Sequence, residues 1–422
     1  MEDAAQRIIV IGGGPAAVWA AIEAKKKDPS ALVTLVTDEA CEPYEKPPLS
    51  KAVLMGKSSP EDAPIAGPGG LAKHGVAVRL NTRCTAIDRP SRNILTTDGN
   101  LSYDALVIAT GSVMREVPVL PIGMPGVHYL RTEAHARAIK ADLSVCNRLA
   151  VIGAGLIGLE VAASAAELGI EVLVFELAPR IMARACDEET GSFILAEHRA
   201  HGVQFKMPTA VTGVSSRPDA SLVLQTTDGD THACDLVLVG AGVTPDDTLA
   251  AAAGLVVQDG IVVDSQCRTS DPRIFAAGDV TRFAPGYVTA QPQGMVRLEN
   301  WLHAQEHGGV AGRNAAGGNE SYAAVPSFWS EQYDLYIQGV GWPDQAAKRV
   351  RRSLAGKGTL LLETKAGKIT YALGINAQRD LAAIRRLIER SIPVDVDALA
   401  DPAKPFNAML KAKACRTSST RR

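Results

Sequence analysis

Residues 149–176 restrict the possible fold of this chain more than any other stretch. Leu149, Ala150, Val151 and Ile152 make an apolar strand, and Gly153, Gly155 and Gly158 follow in a GxGxxG turn. An alanine-rich helix then runs through Leu168, and a second strand, 172–175, ends on the acid Glu176. In a βαβ unit the first glycine permits the tight turn and the second lets backbone approach a pyrophosphate. The third lets helix and strand pack closely. The helix N-terminus offers free N–H groups and partial positive charge to phosphate. A bare GxGxxG says little. This one has a strand before it, a helix after it, and an acid 18 residues past Gly158 where a ribose needs an acceptor. The stretch predicts a dinucleotide site.

The pattern occurs a second time. Ile8 to Ile11 read as a strand, and Gly12, Gly13, Gly14, Pro15, Ala16 and Ala17 as the turn, with Ala17 in the third, glycine-or-alanine slot. A helix carrying Trp19, Ala20 and Ile22 leads to a strand over 32–36, which ends at Asp38 and Glu39. Two dinucleotide folds in one chain imply that two nucleotides meet, and the chemistry that needs this is electron transfer between cofactors. The length of 422 residues gives room for two or three domains, and 46% apolar with 21% charged residues describes a globular protein. The acidic start, Met1, Glu2 and Asp3, predicts no leader, and Glu160 and Glu167 interrupt the longest apolar candidate for a membrane span. Seven cysteines (41, 84, 146, 186, 234, 267 and 415) show neither CxxC nor metal-type spacing. Their odd number predicts free, mostly buried thiols, a reducing cytoplasmic setting and no metal site.

Between these folds and after them the chain changes character. Residues 44–51, with Pro47 and Pro48, read as a rigid loop entering a helix at Ser50. Residues 104–111 form a buried strand stopping at Ala109, Thr110 and Gly111; Pro118, Pro121 and Pro125 then mark a crossing between domains. A strand over 236–242 closes the second fold, and residues 273–279 deliver an acid, Asp279, just after Gly278. Past Pro326, strand-like 333–340 precedes a hairpin from 359–364 to 369–373 turning at Ala366 and Gly367. Leu381, Ile384 and Ile388 fall on one helical face. The expected architecture is α/β, with two Rossmann-like dinucleotide-binding domains and a C-terminal α+β domain. Its predicted bounds are 1–112 with 246–323, then 113–245, then 324–410, and a flexible tail over 411–422. The net charge of −2 hides an asymmetry: from Ser330 onward 17 Lys and Arg face 9 Asp and Glu, and before it 27 face 37.

Taken in order, these motifs resemble the FAD-dependent ferredoxin reductases of bacterial oxygenase systems. Those reductases belong to the two-dinucleotide-domain flavoprotein superfamily that includes glutathione reductase. The markers are Pro43-Tyr44 with Pro47-Pro48-Leu49-Ser50-Lys51, Ala109-Thr110-Gly111, Tyr129-Leu130-Arg131-Thr132, the turn from Gly153 to Glu160, Gly278-Asp279 and Phe328-Trp329. They span about residues 7 to 410. The resemblance implies that Gly12, Gly14, Ala16 and Asp38 hold the adenosine half of FAD, with Glu39 a second ribose candidate. It implies further that Asp279 bonds the ribityl chain. Cys84, Ala109, Thr110, Gly111, Arg131, Gly278 and Trp301 become additional FAD contacts. Lys51, paired with Glu160, would stand beside the flavin where nicotinamide stacks, and Gly153, Gly155, Gly158 and Glu176 would hold NADH. The chain departs from the pattern at Ser112, Val113, Met114 and Arg115, where an Arg-Pro-Arg-like run is usual, and at Lys46, which replaces a frequent arginine.

Disulfide reductases of the superfamily carry a CxxxxC pair on the flavin-facing segment. Here Cys41 is followed by Lys46 at the fifth position, and no thiol stands between Pro47 and Lys51. Electrons would then leave the flavin directly, toward a one-electron partner. The resemblance therefore implies NADH oxidation coupled to a small acidic 2Fe-2S ferredoxin serving an oxygenase, by a monomer or weak homodimer without nucleic-acid or membrane partners. An NADH oxidase would need a redox cysteine, and a sensor resembling apoptosis-inducing factor would use its basic C-terminal domain on nucleic acid. Lys348, Arg349, Arg351 and Arg352 are expected to form a basic docking rim around Trp329.

Overall fold

The structure is a computed structural model and describes residues 5–218, 221–285, 294–323, 325–344 and 346–410. Its first sheet is parallel, in the order Ile274–Ala276, Ala105–Ile108, Arg7–Ile11, Leu32–Val36, Ala77–Arg79. Ile8, Val10, Leu106, Val107 and Ile108 have no exposed surface, as continuous apolar runs in a parallel sheet covered on both faces require. The helices Pro15–Lys27 and Trp301–Ala315 pack against this sheet and each other. Their crossing is very close: a Cβ on Gly308 would lie 2.2 Å from the Ala16 carbonyl oxygen, and one on Gly312 2.0 Å from that of Ala20.

The second sheet repeats the plan. Gln204–Lys206, Glu171–Phe175, Arg148–Ile152, Leu236–Val239 and Val127–Tyr129 lie side by side, all parallel, with the helix Leu156–Glu167 following the glycine turn. The chain passes between the two units as an antiparallel pair, Ser112–Met114 against Val243–Pro245.

The C-terminal part is a five-stranded antiparallel sheet in the order Ser327–Gln332, Leu335–Gly341, Lys368–Ile375, Thr359–Lys365, Lys348–Ser353. The helix Gln378–Glu389 buries Leu381, Ile384 and Ile388 beneath it. The hairpin turn uses Ala366 and Gly367 at φ of 50° and 69°, the left-handed pair that suits the twist of two-residue hairpins. Three expectations change. The strand expected over 236–242 ends at Val239, where Gly240 and Gly242 follow. The strand expected over 333–340 begins at Leu335, because Tyr333 turns the chain at φ 56°. The helix expected from Ser50 is instead a 3₁₀ turn, Pro47–Ser50, that ends there: two prolines preset its start, and Lys51 leaves the helical region at φ −127°, ψ −103°. The tail expected over 411–422 lies outside the described residues.

Candidate active site

Both glycine turns have the shape their roles demand. Gly12 takes φ +131°, and a Cβ there would sit 2.2 Å from the Ala109 carbonyl oxygen. Gly153 takes φ +102°, with a Cβ 2.6 Å from the Gly240 carbonyl oxygen, and a Cβ on Gly158 would meet the Gly153 carbonyl oxygen at 2.1 Å. By contrast, Gly14 and Gly155 look onto open space, with nothing within 4 Å of a Cβ. Neither residue caps its helix with a side chain, so the first-turn N–H groups remain available to a phosphate. Ala17 occupies the third position of the first turn and is buried. The Ala16 side chain packs under Gly278, and its carbonyl oxygen faces Gly308, so what Ala16 offers the turn is backbone.

The acids after the second strands differ in state. Glu176 accepts from the backbone N–H of Ala154 at 2.6 Å and of Ala178 at 2.7 Å, so the carboxylate closes over its own phosphate turn. Arg180, four residues on, donates to the carbonyls of Cys186 and Ala183. Asp38 pairs with Arg83 at the surface, 3.2 Å apart. Glu39 is occupied internally, by the Tyr44 hydroxyl at 2.5 Å and the Lys46 ammonium at 2.8 Å, and Asp38 is the more exposed of the two acids.

Asp279 tests whether this fold suits FAD. Among the described residues its carboxylate has one long hydrogen bond, from the Ser112 hydroxyl at 3.4 Å. Burial raises it to about 6 despite the pull of Arg131. A thinly satisfied buried acid calls for further donors, and a hydroxyl-bearing ribityl chain supplies them. Arg131 stands beside Gly111, its Nη2 3.1 Å from where a Cβ would be. The Thr110 hydroxyl donates to the Asp246 carbonyl at 2.7 Å, and burial lifts the Cys84 thiol to about 11. The residues present fit the cofactor.

A cavity of about 590 Å³ opens between the 3₁₀ turn Pro47–Ser50, the helix Leu156–Glu167 and the edge strand Ser327–Gln332. Lys51 and Glu160 meet in its wall at 3.4 Å, and both are largely buried. Glu160 also accepts from Ser50 at 2.5 Å, from Ser330 at 2.8 Å and from the Glu331 backbone N–H at 3.4 Å. Three parts of the chain thus converge on one carboxylate. Trp301 donates its indole N–H to Glu45 at 2.5 Å and packs edge-on against Trp329, with ring centroids 6.0 Å apart. The roles of Ser50, Ser330, Glu45 and Tyr333 were not evident from the sequence; strand alternation puts Trp329 and Glu331 on the cavity side, a signal visible once the strand is known, and Tyr333 joins them from the turn that follows.

The expected basic rim around Trp329 is not formed. Trp329 lies on one edge strand of the C-terminal sheet and residues 348–353 on the other, four strand spacings away, or roughly 19 Å. The cations there are also engaged: Arg349 with Glu363, Arg351 with Asp187 and Glu189, and Lys348 weakly with Asp397. Arg352 is only 2% exposed and points inward. The cavity that Trp329 lines carries four acids, Glu45, Glu160, Glu167 and Glu331, against one cation, Lys51. Among the described residues there is no metal-type cluster and no helix long and apolar enough to cross a membrane, and six cysteines are free.

Residues 6–308 match the pyridine nucleotide-disulphide oxidoreductase family and residues 327–410 the reductase C-terminal domain. Over 410 residues the chain is 38% identical to the ferredoxin--NAD(+) reductase component of the anthranilate 1,2-dioxygenase system of Burkholderia cepacia, covering 96% of this chain and 100% of that one. It is 35% identical over 399 residues to rhodocoxin reductase of Rhodococcus erythropolis, covering 93% and 92%. The crystal structure of the covalent putidaredoxin reductase–putidaredoxin complex is similar at a TM-score of 0.89 and 31% identity, over 97% of this chain and 99% of that one. Similarity at this level from end to end leaves one conclusion: the chain belongs to the pyridine nucleotide-disulphide oxidoreductase family and carries a reductase C-terminal domain.

Proposed function

We propose that this protein is an FAD-dependent ferredoxin--NAD(+) reductase that takes electrons from NADH and passes them singly to a small acidic 2Fe-2S ferredoxin serving an oxygenase. The observation that carries this reading is the cavity in which the helix of the second dinucleotide fold meets the Lys51 segment and Trp329, with no thiol among the described residues that line it. Relatives named as ferredoxin reductase components of dioxygenase systems support the choice of acceptor. Free thiols at Cys41, Cys84 and Cys146 support a reducing, cytoplasmic setting.

FAD would be held by the Gly12–Gly14 turn, Asp38, Arg131 and Asp279, and when bound it supplies two-electron uptake with one-electron release. The Gly153–Gly158 turn and Glu176 would seat NADH. Lys51, its ammonium fixed by Glu160, places positive charge in the cavity wall, ready to stabilise the negative charge that arrives with electrons. Pro47, Pro48, Met55, Trp301 and Trp329 supply the apolar part of the wall, against which a flat ring system can pack. The direct test is steady-state reduction of a panel of small 2Fe-2S ferredoxins with NADH. Sustained turnover is expected, and a protein that binds FAD and NADH but passes electrons to none of the panel would defeat the proposal.

Two further outcomes follow from the site. A 2′-phosphate would face the Glu176 carboxylate, and Arg180 is committed to carbonyls elsewhere. Catalytic efficiency with NADH should therefore exceed that with NADPH on the order of 100-fold, since a like-charge contact costs several kcal/mol. Equal efficiencies would remove Glu176 from the ribose. Cys41→Ser should keep full NADH-dependent turnover, because that thiol lies outside the cavity lining and burial with nearby acids raises it above its ordinary range. A Cys41→Ser protein that folds, retains FAD and yet stalls would put a thiol on the electron path.

A further inference from the structure

Behind the cavity wall a line of side chains connects Glu160 to Tyr333, which also lines the cavity. Glu160, paired with Lys51, is a carboxylate and can only accept, so the Ser330 hydroxyl donates to it at 2.8 Å. Ser330 Oγ in turn accepts from Gln332 Nε2 at 3.0 Å. That orients the amide: its Oε1 faces His198 Nε2 at 2.9 Å and accepts the N–H. His198 Nδ1 is left as the acceptor for the Tyr333 hydroxyl, 3.1 Å away. One placement of protons satisfies every member, and every bond donates toward Glu160.

The line is buried and crosses domains. Ser330 and His198 have no exposed surface, and Gln332 is 1% exposed. Glu160 and His198 come from the helices Leu156–Glu167 and Glu188–Ala200 of the second dinucleotide fold, whereas Ser330, Gln332 and Tyr333 belong to the C-terminal sheet and its turn. Burial lowers the imidazole to about 4, so it stays neutral and the polarity persists at working pH. Tyr333, a bulky residue at φ 56°, is held in that uncommon conformation with its ring stacked on His201, centroids 3.7 Å apart.

We propose that Gln332 and His198 are positioning residues which, acting through Ser330, hold the Glu160 carboxylate against Lys51 for oxidation of NADH, so that the C-terminal domain is a working part of the nicotinamide cleft. The inference rests on the NADH-oxidising role proposed above. Simple scaffolding would need no ordered polarity, and apolar side chains would fill the same space without leaving donors to satisfy.

The test uses the full, FAD-loaded chain without oxygen and follows flavin bleaching by NADH after rapid mixing. Gln332→Leu and His198→Leu should each bleach roughly tenfold more slowly, the scale expected when a catalytic group drifts from its place. Their NAD(+) affinity by calorimetry and their FAD content should remain those of the wild type. The Glu331 backbone amide, which also donates to Glu160, should exchange with deuterium faster in both. His198→Gln keeps an N–H for Gln332 and should restore most of the rate. In a Glu160→Gln background Gln332→Leu should change the rate by less than about twofold, because the two act through one group. Independent, multiplicative losses would overturn the proposal, and so would a wild-type rate in Gln332→Leu. Should leucine at either position prevent folding, Ser330→Ala deletes a single oxygen and carries the same expectation, with a wild-type rate again overturning it. A wild-type protein that NADH does not bleach fails the proposed function itself, and this inference with it.

Discussion

Asp279→Asn should raise the melting temperature of the flavin-free protein near pH 8 and, in the same molecule, weaken FAD binding. The two effects share one cause. Burial lifts the Asp279 carboxyl to about 6, well above the ordinary aspartate value of 3.8. A folded-state value above the unfolded one means that the folded protein favours the protonated, neutral side chain. That contribution to stability is complete below about pH 4 and is lost as pH rises through 6. Above pH 7 the ionised carboxylate therefore destabilises the flavin-free fold, on the order of 2–3 kcal/mol at 1.36 kcal/mol per pH unit. Asparagine stays neutral and avoids this penalty, so the gap between variant and wild type should close as the pH falls to 4. Toward FAD the sign reverses. A carboxylate accepts hydroxyl hydrogen bonds worth about 1.5–3 kcal/mol, and an amide oxygen gives up most of that. Retention of FAD should fall roughly 10–100-fold for Asp279→Asn and also for Asp279→Ala. Melting curves of stripped protein from pH 4 to 8, with fluorimetric titration of FAD, test both halves. Wild-type FAD affinity in Asp279→Asn would mean that Asp279 does not face the cofactor.

The parts of this fold that were legible in the sequence are those where backbone geometry demands a particular residue. Gly12, Gly153 and Gly158 stand where a Cβ would strike a carbonyl oxygen within 2.6 Å, so no other residue fits and the turns announce themselves. Leu381, Ile384 and Ile388 were legible because a helix on a sheet buries one face. Strand order in the antiparallel C-terminal sheet carries no such mark. Alternation shows which residues face inward, not which strand lies at which edge, and so residues 348–353 appeared to neighbour Trp329 when the sheet separates them. Counting charges misled for the same reason. A total of basic residues does not show that Arg349 neutralises the buried Glu363 or that Arg351 reaches across to Asp187. The line from Tyr333 to Glu160 was invisible for a different reason. Its members before Glu160 are neutral polar residues with no motif, and His198 meets Gln332 across 134 positions of chain.

Arg352→Ala should destabilise the C-terminal domain by on the order of 3 kcal/mol, whereas Lys348→Ala, four residues earlier on the same strand, should change it by less than about 0.5 kcal/mol. Both residues carry one positive charge, and only their surroundings differ. Lys348 has a side chain 67% exposed and a loose partner, Asp397, at 3.9 Å. The Arg352 guanidinium is buried, donates to the carbonyls of Leu399 at 2.7 Å, Lys404 at 3.2 Å and Ala398 at 3.4 Å, and lies over the Phe406 ring with 4.2 Å to its centroid. It holds the segment 398–406 onto the sheet, where Leu399 and Phe406 complete the apolar cluster beneath the helix Gln378–Glu389. Truncation removes charge-assisted bonds and a cation–π contact and leaves three carbonyls short of a donor in a site where water replaces them poorly. Thermal unfolding with limited proteolysis should show an early transition and new cleavage between residues 395 and 406 in Arg352→Ala. Lys348→Ala should overlay the wild type. The contrast bears on any attempt to map the ferredoxin site by neutralising residues 348–352 together. Such a variant would lose electron transfer because its C-terminal domain, and with it the Ser330 contact to Glu160, no longer holds, and the loss would pass for a docking defect. Docking is better sought with single changes at Lys348 and around Trp329, read as the dependence of ferredoxin reduction on ionic strength. An Arg352→Ala protein that melts with the wild type would show that the segment 398–406 is held by its apolar contacts alone.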